Sequence, residues 1–225
     1  VLNIGSSVLK MESNLPLTHI IETPGKTLND VVINTLSTTT SIIDVQLLGT
    51  SAIFGNLKIK NNNNFRTYFN AGNASFTSVN IIYPTSNTNL KTIYFNTSTT
   101  MGGFTVTTAN GLTEVVTLLN NTFGDILLPN STTWTSTSGR TQTMTGLTLN
   151  GTCAAFAVLK SNTTSATTFS DVSGTNTLDY LQTQYVTFTG GATWQATNAL
   201  TSNTTGLTVT PLAGKKYFWI GNAGN

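Results

Sequence analysis

The sequence predicts an all-β chain wound as a single-stranded right-handed parallel β-helix with about 20–26 residues per coil. Three observations carry that expectation. Helical patterning is nearly missing: Ala, Glu, Lys and Gln are scarce, and β-branched Thr, Val and Ile fill the apolar-containing stretches, as pleated strands prefer. Thr, Ser and Asn make up about two-fifths of the 225 residues while charged residues are 8%, against about a quarter in average soluble domains. Hydroxyls and amides, rather than charge, therefore solubilise the surface. Finally, one short pattern returns along the chain: an apolar residue, two small polar residues, then apolar, any residue, apolar.

The pattern begins at Leu28 (LNDVVIN), Phe54 (FGNLKIK), Phe76 (FTSVNII), Met101 (MGGFTVT), Phe123 (FGDILLP) and Met144 (MTGLTLN), at steps of 26, 22, 25, 22 and 21 residues. Roughly two such matches would arise at random in this composition, so six at near-even spacing are a signal. Propeller blades need about 40 residues each and hairpin turns of the Asn-Gly kind, and Asn-Gly occurs only at Asn110 and Asn150. A coil of about 23 residues suits a parallel β-helix, in which each strand pairs with its equivalent one turn on, about 4.8 Å away.

The alternation assigns faces. Val31 and Ile33, Leu57 and Ile59, Val79 and Ile81, Phe104 and Val106, Ile126 and Leu128, and Leu147 and Leu149 are expected to stack as apolar ladders inside the coil, with Lys58 and Lys60 facing water. Asn34, Asn61 and Asn150 follow the alternation and are expected at corners, where Asn tolerates left-handed backbone angles. Weaker matches at Phe169 (FSDVSG) and Leu178 (LDYLQT) break the spacing. The expected organisation is a β-solenoid over residues 1–213, less regular after about residue 152, followed at 214–225 by the start of a further module. A start at Val1 without a charged-then-apolar leader, and a stop in Gly221-Asn222-Ala223-Gly224-Asn225, suggest a segment of a longer polypeptide.

Composition disfavours several function classes. The net charge of +2 comes from scattered cations with no run longer than Lys215-Lys216, so the clustered Lys and Arg of a nucleic-acid surface are missing. No apolar run approaches the 18 or so residues that span a bilayer as a helix. At 38% hydrophobic and nearly neutral, the chain lacks the signature of disorder. The single Cys153 excludes an internal disulfide or a thiolate cluster within this chain and is expected to be a small buried residue.

Chemistry-bearing residues are few. Glycoside cleavage uses two carboxyls about 5–9.5 Å apart. Asp30 and Asp125 share a place in the repeat but lie four coils apart, while Asp125 and Asp171 come within about 10 Å if two coils separate them. Turn-capping or solvated carboxylates are the simpler identity. His19, in LTHIIET, has no second His and no nearby Cys to make a ligand set or a general base. No nucleophile elbow, phosphate loop or metal-binding helix occurs, and no cofactor is expected.

Aromatic rings that could stack on sugars are Trp134, Trp194, Tyr217, Phe218 and Trp219. Trp194 and Trp219 fit better as plugs of an apolar core. Trp134, lying among Ser and Thr, is the candidate carbohydrate contact. Alternating Thr pairs at Thr105/Thr107, Thr133/Thr135, Thr141/Thr143 and Thr208/Thr210 would make an ordered hydroxyl array only with a register repeated in every coil, which their uneven steps do not give. Sequons at Asn73, Asn96, Asn120, Asn130, Asn150, Asn162 and Asn203 matter only in a host that glycosylates secreted proteins.

Three motifs carry a resemblance: MTGLTLNGT (Met144 to Thr152), GGATWQA (Gly190 to Ala196) and KKYFWIGNAGN (Lys215 to Asn225). They resemble modules of giant repetitive surface adhesins of Bacteroidetes-type bacteria and of structural and fibre proteins of tailed bacteriophages. The N-terminal VLNIGSSVLKME and TLNDVVIN are similar to the preceding repeats of such proteins. The resemblance implies a β-solenoid piece of a virion or extracellular fibre, with no catalytic residue to carry over. It further implies partners of three kinds: other copies or parts of a larger fibre, a homotrimer among the common arrangements, and a host-surface glycan. The expected function is a non-enzymatic structural segment of a phage appendage for host attachment. A bacterial cell-surface adhesin is the alternative, and a polysaccharide depolymerase built on a β-helix is the second.

Overall fold

The computed structural model describes residues 8–13, 19–22, 27–35, 45–48, 53–61, 66–70, 72–84, 90–109 and 112–210. All regular elements among them are β-strands, and their pairings are parallel. Parallel neighbours some twenty residues apart cannot be joined by a hairpin, so the chain travels round the molecule between them. The result is a β-solenoid whose turns pass through three faces in a fixed order, here termed leading, middle and trailing.

The leading face stacks β2 (His19–Glu22), β5 (Val45–Leu48), β7 (Thr67–Asn70), β9 (Lys91–Phe95), β11 (Thr113–Thr117), β13 (Thr133–Ser136), β16 (Ala157–Ser161), the first half of β19 (Leu181–Gly190) and the start of β21 (Leu200–Thr205). The middle face begins with β3 (Thr27–Leu28). It continues through the first halves of β6 (Ile53–Asn61), β8 (Ala74–Tyr83), β10 (Thr99–Thr108) and β12 (Asn121–Leu127), then β14 (Thr141–Met144), β17 (Thr167–Asp171) and the second half of β19. The trailing face holds β1 (Leu9–Ser13), β4 (Val31–Thr35), the second halves of β6, β8, β10 and β12, and β15 (Gly146–Thr148). A separate three-stranded sheet of β18 (Thr175–Asp179), β20 (Thr193–Thr197) and β22 (Thr208–Thr210) extends it.

The recurring sequence pattern turns out to be a corner. Its opening apolar residue ends the middle face, its two small residues turn the chain, and its final apolar pair faces inward from the trailing face. Leu28, Phe54, Phe76, Met101 and Phe123 are partners in register. So are Val31, Leu57, Val79, Phe104, Ile126 and Leu147, and Ile33, Ile59, Ile81 and Val106. All of the predicted inward residues are buried, none more than 5% exposed. Lys58, one position out of phase, is exposed. Corners pack backbone on backbone, and a Cβ built at Gly124 would collide with the carbonyl oxygen of Gly102 one turn below. Gly124→Ala is therefore expected to destabilise the fold by about 1–3 kcal/mol or more, read as a lower denaturation midpoint in urea.

The leading face contributes a second interior column: Thr67, Ile93, Val115, Trp134, Leu159 and Thr183. Together the faces build an aromatic spine. Phe54 and Phe76 stack at 4.7 Å, Phe69 and Phe95 at 4.7 Å, and Phe123, Trp134 and Phe169 follow edge to face at 5.7 and 5.0 Å. Phe169, Phe188 and Trp194 continue it.

Where the leading face turns into the middle face, the interior is polar and its hydrogen bonds are made. Asn121 Oδ1 accepts from the backbone N–H and hydroxyl of Thr99, and Asn121 Nδ2 donates to Leu119 O and Gln142 Oε1. Gln142 Nε2 donates to Leu119 O and Ser136 Oγ, and Thr167 Oγ1 donates to Ser136 Oγ at 2.7 Å.

Two expectations are corrected. Asn34 lies within β4 rather than at a corner, and its amide donates to Glu12 Oε1 of the preceding turn at 3.0 Å. Among the described residues, the non-glycine positions with left-handed geometry are instead Asn73, Ser131, Tyr180, Tyr185, Asn198 and Asn203. Cys153 is exposed, because it sits in a tight turn that Thr152 and Ala155 close with reciprocal backbone hydrogen bonds. Residues 214–225 lie outside the described residues.

Candidate functional site

Trp134, expected as a carbohydrate contact, is wholly buried. Thr133, Trp134, Thr135 and Ser136 alternate out and in, and register places the indole between Val115 and Leu159. Its Nε1–H donates to Thr117 Oγ1 at 3.2 Å, and both ring neighbours meet it edge on. No ring face is left for a sugar. Trp194 is likewise buried, its N–H donating to Thr189 O. Tyr217, Phe218 and Trp219 lie outside the described residues, as does the side chain of His19.

The acids do not converge. Asp125 is exposed and accepts from the Thr145 hydroxyl at 2.8 Å. Asp171 lies two turns on, as the registers Asp125 to Gly146 and Met144 to Asp171 require, but it is buried. One of its oxygens accepts from Ser173 N–H and the other from Asn176 Nδ2 at 2.7 Å. Asp171 is thus a turn-capping carboxylate whose lone pairs are directed inward. Asp30 caps a corner in the same sense, accepting from Asn56 N–H and Nδ2. No group of three or more His, Cys, Asp or Glu side chains is arranged to hold a metal ion among the described residues.

Asp179 marks the corner from the trailing to the leading face. Its Oδ1 accepts from Thr197 Oγ1 at 2.7 Å, Asn198 Nδ2 at 2.8 Å and Tyr180 N–H at 3.0 Å. The Thr197 hydrogen bond, with those of Asn198 and Tyr180, holds its carboxyl below the ordinary aspartate value of 3.8. A depressed folded-state pKa gives stability that is present above the unfolded value and lost as pH falls through the folded one. Acid melting below about pH 4 is expected to be less steep in Asp179→Asn than in the parent chain, a comparison that thermal denaturation across pH 2–5 makes directly.

The outer surface carries a hollow of about 470 Å³ on the leading face, lined by Glu114, Thr135, Lys160, Gln184, Tyr185 and the segment Ser161 to Thr164. Register sets its floor: Thr135, Lys160 and Gln184 occupy one outward column on successive turns. One wall is fixed by its own hydrogen bonds. Asn162 Oδ1 accepts from Ser138 N–H, Thr163 N–H donates to Ser161 Oγ, and Ser165 N–H donates to Thr163 Oγ1. Tyr185 stands at a corner in left-handed backbone geometry (φ 54°), directly over Asn203 (φ 49°) of the next turn. Thr135 Oγ1 is buried beneath the hollow without a hydrogen-bond partner. Two other hollows, near Val106 and Pro129 and near Asp125 and Asn176, have no aromatic lining residue.

Of the groove residues, sequence reading names Thr135 only within an alternating Thr pair and Asn162 only as a sequon, and none of them as a binding residue. The register steps that bring them together, 114 to 133, 135 to 160 and 160 to 184, are uneven because corner loops differ in length, so only the strand pairing reveals the groove. The hydroxyl rows were hidden in the same way. Thr100, Thr122, Thr143, Ser170 and Thr189 form one outward row on the middle face, and Thr141, Thr168, Thr187 and Thr205 run beside it. The register that the sequence did not reveal is therefore present. No known protein family, curated protein or solved structure matches the chain significantly.

Proposed function

We propose that the chain is a non-enzymatic structural segment of a long extracellular fibre, foremost an appendage of a phage virion that serves host attachment. The observation that supports this reading is the leading-face ladder, in which nine strands pair in parallel one after another. A repeat fold of this kind is quasi-one-dimensional: each turn contacts its neighbours, and bending it means breaking ladder hydrogen bonds along a whole side. Such a body is a stiff spacer. Its outer face is rich in hydroxyls and amides and poor in charge, which suits crowded environments of varying salt because little of its solubility is screened.

Electron cryomicroscopy of the source material with an antibody against this segment tests the proposal. Labelling along virion appendages supports it. Labelling on a cell envelope overturns the phage assignment in favour of a bacterial adhesin. A diffuse secreted signal overturns the fibre itself and favours a depolymerase, for which loss of polysaccharide viscosity, abolished by Asp125→Asn, is the decisive assay.

A further inference from the structure

We infer that the leading-face groove between Glu114 and Tyr185 is a subsite for a neutral polysaccharide chain, an inference that rests on the attachment role proposed above and gives it a place on the molecule. The first support is shape. Pockets that hold small apolar ligands enclose most of the ligand surface behind predominantly hydrophobic walls, whereas this groove is shallow, and its lining is Thr, Ser, Asn, Gln, one acid, one cation and one aromatic side chain. A sugar ring is the matching chemistry, since its hydroxyls can meet the amides and charged head groups while its C–H face meets the aromatic residue.

The second support is availability. Neither the Lys160 ammonium nor the Glu114 carboxylate makes a hydrogen bond or salt bridge among the described residues; the exposed ion pair there is Lys10 with Glu12. Glu114 offers acceptors only and Lys160 donors only, so together they can hold the donor and acceptor sides of neighbouring hydroxyls. One charge of each sign leaves the groove without net charge, which favours a neutral sugar over a uronic or sialic acid. The amide of Gln184 follows Lys160 one turn on in the same column, so a chain laid along the solenoid axis would meet polar groups about every 4.8 Å.

The third support is rigidity. Tyr185 is a bulky residue in left-handed geometry, a strained conformation that is seen where the surroundings over-determine it. Here the corner is held from both sides, by the β16 and β17 registers below and by β21 above. Asn occupies the stacked corner position at 203. Asn would meet the backbone demand at 185 with less strain, so the chain carries an aromatic residue at a place where its backbone alone would prefer another. Binding to a ring positioned in advance avoids part of the ordering cost that a mobile side chain would add.

The test uses the full 225-residue chain against an array of neutral hexasaccharides of glucose, galactose, mannose and N-acetylglucosamine, with acidic hexasaccharides alongside, followed by titration calorimetry on any that bind. Tyr185→Asn keeps a residue suited to the corner and removes the ring. Lys160→Met removes the ammonium and keeps the stem, Tyr185→Phe restores the ring, and Gln195→Ala on the trailing face is the control. Expected is binding of at least one neutral hexasaccharide that is weakened about tenfold or more by Tyr185→Asn and by Lys160→Met, recovered by Tyr185→Phe and untouched by Gln195→Ala, with no variant melting below the parent chain. No binding to any neutral hexasaccharide, binding to acidic ones alone, or binding indifferent to Tyr185 and Lys160 overturns the inference. Those results are separate from the labelling experiment: appendages that label without sugar binding leave the fibre proposal standing and remove the groove, and sugar binding without labelling does the reverse.

Discussion

Replacing Trp134 by alanine is expected to destabilise the solenoid by about 3–5 kcal/mol, the range for a fully buried aromatic side chain. It is also expected to change the shape of the unfolding curve. The indole joins Phe123 to Phe169 and stands in register between Val115 and Leu159, so it is the bridge between the aromatic spine before and after it. In a quasi-one-dimensional fold, stability is close to a sum of turn and interface terms, and a weakened turn near the middle uncouples the two sides. For a chain of this size each kcal/mol moves the melting temperature by roughly 2–4 °C, so a fall of at least about 6 °C is expected, with a broadened or split transition in circular dichroism. Trp134→Phe should recover most of the packing while leaving Thr117 Oγ1 without the donor it has now. A Trp134→Ala protein that melts at the parental temperature would mean that the indole is not in the core.

What was legible in the sequence and what was not divides along a physical line. The trailing face was legible because its inward residues alternate strictly and its corner is short. Leu57 and Ile59 follow Phe54 at a fixed offset, and Phe104 and Val106 follow Met101 at the same one, so loop length never intervenes. After Met144 the phase shifts. Register sets Asp171, not Phe169, against Met144, and Phe169 falls against Gln142 instead. Polar Asn176 takes part in a junction where the trailing sheet is interrupted, its Oδ1 accepting the Leu147 N–H. The apolar pattern therefore fades at Phe169 and Leu178 although both are buried. The misreading of Trp134 has a related cause. A Trp flanked by Thr and Ser reads as exposed by composition, yet in a strand those neighbours point the other way. Burial follows parity, not the company a residue keeps. The outward groove was the least legible feature, since nothing repeats in it: Glu114, Lys160 and Tyr185 belong to different turns, and each is ordinary by itself.

The polar interior makes the opposite demand from the aromatic spine, and Asn121→Leu tests it. Leucine has the same branched skeleton of side-chain heavy atoms as asparagine and would be tolerated where the column is apolar, as at Phe123 two residues on. At position 121 it removes four hydrogen bonds at once and strands their partners: the backbone N–H and hydroxyl of buried Thr99 lose their acceptor, Gln142 Oε1 loses its donor, and Leu119 O keeps only Gln142 Nε2. A buried polar group left without a partner costs about 1–3 kcal/mol. With Thr99 N–H, Thr99 Oγ1 and Gln142 Oε1 affected, the expected loss is roughly 3 kcal/mol or more, despite the greater hydrophobicity of the new side chain. The double variant Asn121→Leu with Gln142→Leu tests the coupling, because removing Gln142 also removes one stranded acceptor. Its destabilisation should fall short of the sum of the single changes by about 0.5–3 kcal/mol, as for residues in one network. Strict additivity in urea denaturation would show instead that the two amides act independently and that the corner is held by backbone ladders alone.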